Sequence, residues 1–232
     1  MKQAMIFAAG LGTRLKPLTD HIPKALVEVG GQPLVWHVLM KLKDAGYGRI
    51  VINVHHFAEQ IIDYLSQNDN FGLDIRISDE TSCLLETGGG IKRARPLFDP
   101  AEPILIHNVD IISNIDLAAL KVDVPTLLVS ERTTKRYLQF DDAMRLTGWK
   151  NVETGEVKGR EGRSLAFSGV HVFHPSLFPL MDSWPDRFPI MDFYLSVCND
   201  HLIRGLEQPG MQLLDVGKLD SLDTANEFLK QL

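Results

Sequence analysis

The sequence of 232 residues predicts an α/β fold: a mixed, mostly parallel sheet with helices on both faces. Three observations carry that prediction. Short apolar runs alternate with stretches of helical periodicity through the first half of the chain. The runs are nearly all apolar rather than alternating, as in strands buried on both faces. The first run breaks off at a glycine-bearing loop, where sheets of this kind place ligand contacts.

Taken in order, Ala4 to Ala9 reads as the first strand and Gly10-Leu11-Gly12-Thr13-Arg14 as the loop after it. Ala25 to Val29 is a short extended piece closed by Gly30-Gly31. A helix starts at Pro33, carries Leu34, Val35, Val38, Leu39, Leu42 and Ala45 on one face, and stops at Gly46. Arg49 to Val54 is the second strand, and a helix follows from about Phe57 to Ser66. Leu73, Ile75 and Ile77 alternate, so a third strand runs to Ser78. This rhythm of strand and helix is what predicts the parallel sheet.

Next comes Leu85-Glu86-Thr87-Gly88-Gly89-Gly90-Ile91, with a short helix expected from Ile91 to Leu97. Three consecutive glycines oppose helix propensity. They fit a place where something flat lies against bare backbone. Pro103 to His107 is a further buried strand ending in Asn108-Val109-Asp110. Ile115 to Leu120 suggests one or two helical turns, and Pro125 to Ser130 a strand. From Glu131 to Arg163 the chain is polar, with extended pieces at Tyr137–Phe140 and Met144–Trp149 that suggest a small antiparallel flap. Leu165 to Phe173 is a strand with an interior glycine, Gly169, a sign of close approach by a ligand or another backbone. Helices are expected at Pro175–Met181 and Ile190–Leu202, strands at Arg204–Leu206 and Met211–Val216, and a last helix from Asp220 or Ser221. We read residues 1–232 as a single domain, with halves at 1–130 and 131–232.

Bulk properties narrow the function. Net charge is −6 with no basic block, which argues against nucleic acid. Cys83 and Cys198 stand far apart in no metal-ligand spacing. No apolar run approaches the roughly 18 residues of a membrane span. The first strand follows Met1 too closely to leave room for a signal peptide, so a reducing cytoplasm is the expected setting. Monomer and homodimer both stay open. The adjacent His55 and His56 point in different directions on extended backbone and are read as solvated or capping side chains.

The opening segment carries the chemistry. Successive backbone N–H groups in the loop form a concave anion site. Arg14 adds a planar, permanently charged fork suited to phosphate oxygens, and Lys24 a point charge. Polyphosphate needs that combination. Two familiar phosphate loops are excluded: the dinucleotide fingerprint would need glycine where Leu15 stands, and no Gly-Lys-Ser/Thr tripeptide occurs. Asp110, just past a buried strand at the ligand edge, suits Mg²⁺, which prefers a carboxylate or two plus substrate phosphates.

Ala9-Gly10-Leu11-Gly12-Thr13-Arg14, Pro17-Leu18-Thr19 and Pro23-Lys24 together resemble the signature of the sugar-1-phosphate nucleotidylyltransferases. The resemblance implies the nucleotide-diphospho-sugar transferase fold, Rossmann-like, with a small β-rich sugar-binding insertion in the second half. It implies transfer of a nucleotidyl group from an NTP to a sugar 1-phosphate with Mg²⁺ and release of pyrophosphate. Ala9, Gly10, Leu11, Gly12 and Thr13 would bind the nucleotide phosphates, and Thr87, Gly88 and Gly89 its base and ribose. Arg14 and Lys24 would be catalytic, and Asp110 the first metal ligand. The second would be Asp215, in Leu214-Asp215-Val216-Gly217-Lys218, where Lys218 replaces the usual threonine. Asn108, Ser168 and Gly169 would contact the sugar. Leu-Glu-Thr-Gly-Gly-Gly and Phe167-Ser168-Gly169 look most like the short bacterial uridylyltransferases of N-acetylmuramate 1-phosphate, which favours UTP and peptidoglycan recycling. Mannose-1-phosphate guanylyltransferase comes next, choline-phosphate cytidylyltransferase third. A non-catalytic nucleotide-sugar sensor is the alternative of another class.

Overall fold

The computed structural model describes residues 1–120 and 123–231. The chain opens with β1 (Lys2–Phe7), a two-strand ribbon of β2 (Glu28–Val29) and β3 (Gln32–Pro33), and helix α1 (Leu34–Asp44). Then follow β4 (Tyr47–Val54), α2 (Ala58–Gln67), β5 (Asp74–Asp79), α3 (Glu86–Ala94), β6 (Ile104–Asn108), β7 (Ile111–Ser113) and β8 (Thr126–Ser130). The second half holds β9 (Arg136–Phe140), β10 (Leu146–Asn151), β11 (Val157–Gly159), β12 (Arg163–Phe173), α4 (Phe178–Met181) and α5 (Ile190–Val197). It closes with β13 (Arg204–Leu206), β14 (Leu213–Asp215) and α6 (Ser221–Leu229).

Ten strands make one sheet in the order β11-β10-β9-β12-β6-β1-β4-β5, with β8 on β12 and β13 on β8. β1, β4, β5 and β6 run parallel, and β12 pairs antiparallel with β6, β8 and β9. The expected mixed, mostly parallel architecture is therefore present. Alternation along β1 feeds two cores. Ala4 and Ile6 point to the side covered by α1, α2 and α6, where Leu39, Leu42, Ile61 and Ala225 are buried. Met5 points to the other side, against Ile91 of α3 and Phe193 and Tyr194 of α5. Each of the larger fully buried side chains, such as Leu39, Ile61, Met5 and Phe193, contributes about 1.5–3 kcal/mol relative to leaving it exposed.

Several elements differ from the sequence expectation. The first strand ends at Phe7, so Ala8 and Ala9 already belong to the ligand edge. Residues 115–120 form turns rather than a helix, because Asp116 Oδ1 accepts from the N–H groups of Ala118 and Ala119 at 3.0 Å each and takes the donors a helix would use. The flap gains a third strand, β11, and α5 ends at Val197 rather than Leu202. Helix α3 begins at Glu86, so all three glycines lie inside it. The reason is steric. A Cβ on Gly88 would lie 2.3 Å from the Phe188 ring, one on Gly89 2.0 Å from the Asp186 carbonyl oxygen, and one on Gly90 2.9 Å from Glu80 Oε1. Only glycine lets the helix seat so deeply. No helix among the described residues is long and apolar enough to cross a membrane.

Candidate active site

The carboxyl ends of β1, β4 and β6 open into a cavity of about 560 Å³. Its floor is the first loop. Gly12 takes a left-handed φ of 63° and presses against Thr19, whose hydroxyl donates to the Gly12 carbonyl at 2.8 Å. A side chain at Gly12 would collide with Thr19 and Lys24. Among the described residues, the N–H groups of Gly10, Leu11 and Gly12 meet no acceptor in the chain. These residues line the cavity with Ala9 and Thr13, as an anion site requires.

Lys24 is buried, with 9% of its surface exposed, and forms an ion pair with Asp110. Asp110 lies in the two-residue link between β6 and β7. Asp215 comes to its side through backbone pairing: β14 runs antiparallel to β7 with Asp215 opposite Ile111, and Val216 N–H donates to the Asp110 carbonyl at 2.8 Å. Two aspartates more than a hundred positions apart thus share one end of a two-strand ribbon. Although Asp215 opens to solvent, crowding by protein atoms and then the Asp110 carboxylate push its pKa above the ordinary aspartate value. Lys24, Arg14 and Arg132 pull it the other way. Gly217 explains the spacing after Asp215. A Cβ there would sit 2.6 Å from Asp215 Oδ1 and 2.7 Å from Arg14 Nη2, so the guanidinium packs beside bare backbone. Arg14, Lys24, Asp110 and Gly217 all line the cavity.

The other expected contacts divide. Thr87 lines the cavity, and its hydroxyl accepts from Ile190 N–H at 2.9 Å. Gly88 and Gly89, expected on the nucleotide, are placed instead under the protein's own segment 186–188, with both N–H groups donating to the Phe188 carbonyl. The flat object against Gly88 is the Phe188 ring, and Gly89 faces the Asp186 backbone. Asn108 lines the cavity. Ser168, expected on the sugar, is fully buried, and its hydroxyl is taken up by the backbone of Val170. Gly169 holds a φ of 81° and touches the Asn108 amide, where a Cβ would come within 3.0 Å. It therefore positions Asn108.

Three polar cavity residues escaped the sequence reading. Buried Asn53 accepts from Ala8 N–H at 2.8 Å and donates to Glu80 Oε1 at 2.7 Å. Buried Glu80 accepts from Leu85 N–H through Oε2 at 3.1 Å, and its burial raises its pKa. This chain ties the end of β1 to the loop before α3. The available signal was a polar residue inside an apolar strand, Ile52-Asn53-Val54. The third, Glu86, adopts a φ of 61° and accepts from Arg187 Nε at 3.1 Å. His55 and His56 lie outside the cavity lining. His55 Nδ1 is 2.6 Å from the Glu80 carbonyl, and His56 packs on Phe57.

A phosphate-ready loop and paired acids at the carboxyl edge of such a sheet define a nucleotide-handling enzyme, and the comparisons agree. Residues 3–123 match the Nucleotidyl transferase family, and the chain belongs to it. It is similar to the N-acetylmuramate alpha-1-phosphate uridylyltransferase of Neisseria meningitidis serogroup B, with 38% identity over 76% of this chain and 77% of that one. The enzyme of the same description from Caulobacter vibrioides is 34% identical over 90% of each chain. In fold, a putative glucose-1-phosphate thymidylyltransferase from Bacillus anthracis superposes with a TM-score of 0.82, covering 100% of this chain and 96% of that one at 16% identity.

Proposed function

We propose that this chain transfers a uridylyl group from UTP to N-acetylmuramate 1-phosphate, in the cytoplasm, as a step of peptidoglycan recycling. A phosphate oxygen of the sugar attacks the α-phosphorus of UTP. One P–O bond forms, the bond to the β-phosphate bridge breaks, and pyrophosphate leaves. The attacking phosphate is already ionised, so the step needs no general base. It needs alignment and relief of repulsion between two anions.

The observation that carries this reading is the convergence of Arg14, Lys24, Asp110 and Asp215 at one end of the nucleotide cavity. The free N–H groups of Gly10 to Gly12 cradle the triphosphate. Arg14 binds the β- and γ-phosphates and stabilises the leaving pyrophosphate. Lys24 reaches between the α-phosphate and the incoming sugar phosphate. Thr87 borders the base and ribose, and Asn108 the sugar. Asp110 and Asp215 fit Mg²⁺: they are hard oxygen donors from two paired strands, their mutual repulsion favours a cation, and Asp110 already holds the Lys24 ammonium. Among the described residues no third His, Cys, Asp or Glu joins them, which suits an ion that takes its remaining ligands from phosphates and water. When bound, Mg²⁺ neutralises developing charge on the phosphates.

A pyrophosphate-release assay over four NTPs and a panel of sugar 1-phosphates tests the reading. UTP with N-acetylmuramate 1-phosphate should give the highest kcat/KM. A clear preference for GTP with mannose 1-phosphate would overturn it, and binding of nucleotide without turnover of any pair would mark a sensor. Asp110→Asn should keep its folded far-UV spectrum and lose at least a hundredfold in kcat, the scale of one lost electrostatic contact in the transition state.

A further inference from the structure

A second cavity, of about 460 Å³, opens at the same edge of the sheet and takes no part in the proposed transfer. β12 runs antiparallel to both β6 and β8, and β13 runs parallel to β8. The carboxyl ends of β6, β8 and β13 therefore share one edge of the sheet. Asp110 stands at the first end, Glu131 and Arg132 at the second, and Glu207 at the third. The last two ends line the second cavity together with residues 208–211, which lead directly into the strand bearing Asp215.

The charges here are unevenly matched. Glu131 and Glu207 both bind Arg163, at 2.6 and 2.9 Å. Arg132 has no carboxylate within ion-pair distance among the described residues. One of its terminal nitrogens donates to the Phe167 carbonyl at 2.8 Å, which pins the guanidinium at the bend of β12. Two residues on, Gly169 touches Asn108 of the nucleotide cavity. Arg132 lines the second cavity and is held at the bend that also carries Gly169 to Asn108, with donors left over. A guanidinium in that state is built for a bidentate oxyanion.

We propose that Arg132 recognises a carboxylate carried by the acceptor sugar itself, and so selects acidic over neutral sugar 1-phosphates. The inference rests on the acceptor reading above: N-acetylmuramate is N-acetylglucosamine with a lactyl ether, and the lactyl group ends in a carboxylate. The phosphate of the acceptor already has Lys24. The second cavity supplies space beyond the ends of β8 and β13 for the rest of the sugar, and Arg132 is the cation in its lining, without a carboxylate partner among the described residues.

The test is steady-state kinetics with UTP for wild type, Arg132→Met and Arg132→Lys, each with N-acetylmuramate 1-phosphate and N-acetylglucosamine 1-phosphate. Where the neutral sugar is not transferred, its Ki as a competitor replaces KM. Arg132→Met should raise KM for the muramate acceptor by about ten- to a hundredfold, the range for a lost charged hydrogen bond, with a much smaller change in its kcat. The neutral sugar should shift by less than about threefold, and KM for UTP likewise, within the small effects of a surface substitution. Arg132→Lys should recover part of the loss, because charge returns without the fork. Equal losses on both acceptors would place Arg132 on the shared phosphate, and no loss on either would remove it from the site. Either result overturns the proposal and leaves the acceptor reading intact. A wild-type enzyme that prefers the neutral sugar would overturn both.

Discussion

Two glycine clusters in this protein look alike in sequence and do opposite things. Gly10 and Gly12 sit in a loop that lines a cavity, and among the described residues their N–H groups meet no acceptor. Gly88, Gly89 and Gly90 sit inside a helix, buried under Phe188, Asp186 and Glu80. Both are places where backbone must be approached closely. In the first the approaching partner comes from outside; in the second it is another part of the same chain. Glycine thus reports the need for space and not the identity of what fills it.

The contrast can be broken by substitution. The largest effect should come from Phe188→Ala, which removes a ring only 3% exposed and should cost about 3–5 kcal/mol in urea unfolding. Gly88→Ala should destabilise the wild type but cost clearly less in the Phe188→Ala background, because the two positions share one contact. Additive losses would separate the glycine from the ring. Arg14→Ala should divide the other way. Its side chain is exposed and has no ion-pair partner among the described residues, so stability should move by less than about 0.5 kcal/mol. Its kcat/KM should fall by the equivalent of about 2.7–4 kcal/mol, as when one transition-state donor is lost. A loss below tenfold would make the guanidinium peripheral.

The smallest effect on activity, and a gradual one on stability, should come from pH. Burial holds the His171 pKa down to about 3 and that of His107 to about 4, against an ordinary 6.5. Both rings are neutral in the fold and take up protons more readily when unfolded. Their contribution is complete above pH 6.5 and drains away as pH drops toward 4 and then 3. Chemical unfolding from pH 7.5 to 5 should show falling stability, and His171→Phe should flatten the decline. An unchanged slope would mean that the ring is not buried neutral.

Much of this was legible because it is local. Apolar runs such as Ile50-Val51-Ile52 and Ile104-Leu105-Ile106 announce buried strands, and a charged residue just beyond one, as with Asp110, has no packing reason to be there. Arg14 and Lys24 follow from a single short segment. What escaped depends on partners distant in sequence. Phe188 lies a hundred positions after Gly88, and nothing local links them. Glu80 and Asn53 become informative only when β4 and β5 pair and bring them together. Ser168 looked available for a sugar, but the bulge at Gly169 turns its hydroxyl into its own backbone. Asp116 claimed the amide donors that a helix over 115–120 would have needed.

The brace beneath α3 has a practical consequence for engineering. Phe188 holds Gly88 and Gly89 through its carbonyl, Ile190 holds Thr87, and Arg187 holds Glu86. A recombinant that keeps the front part of this chain and borrows its back part from a cousin must carry 186–190 over unchanged. Otherwise the graft inherits α3 with its supports pulled away. The natural seam for such an exchange lies in the flap, upstream of that segment.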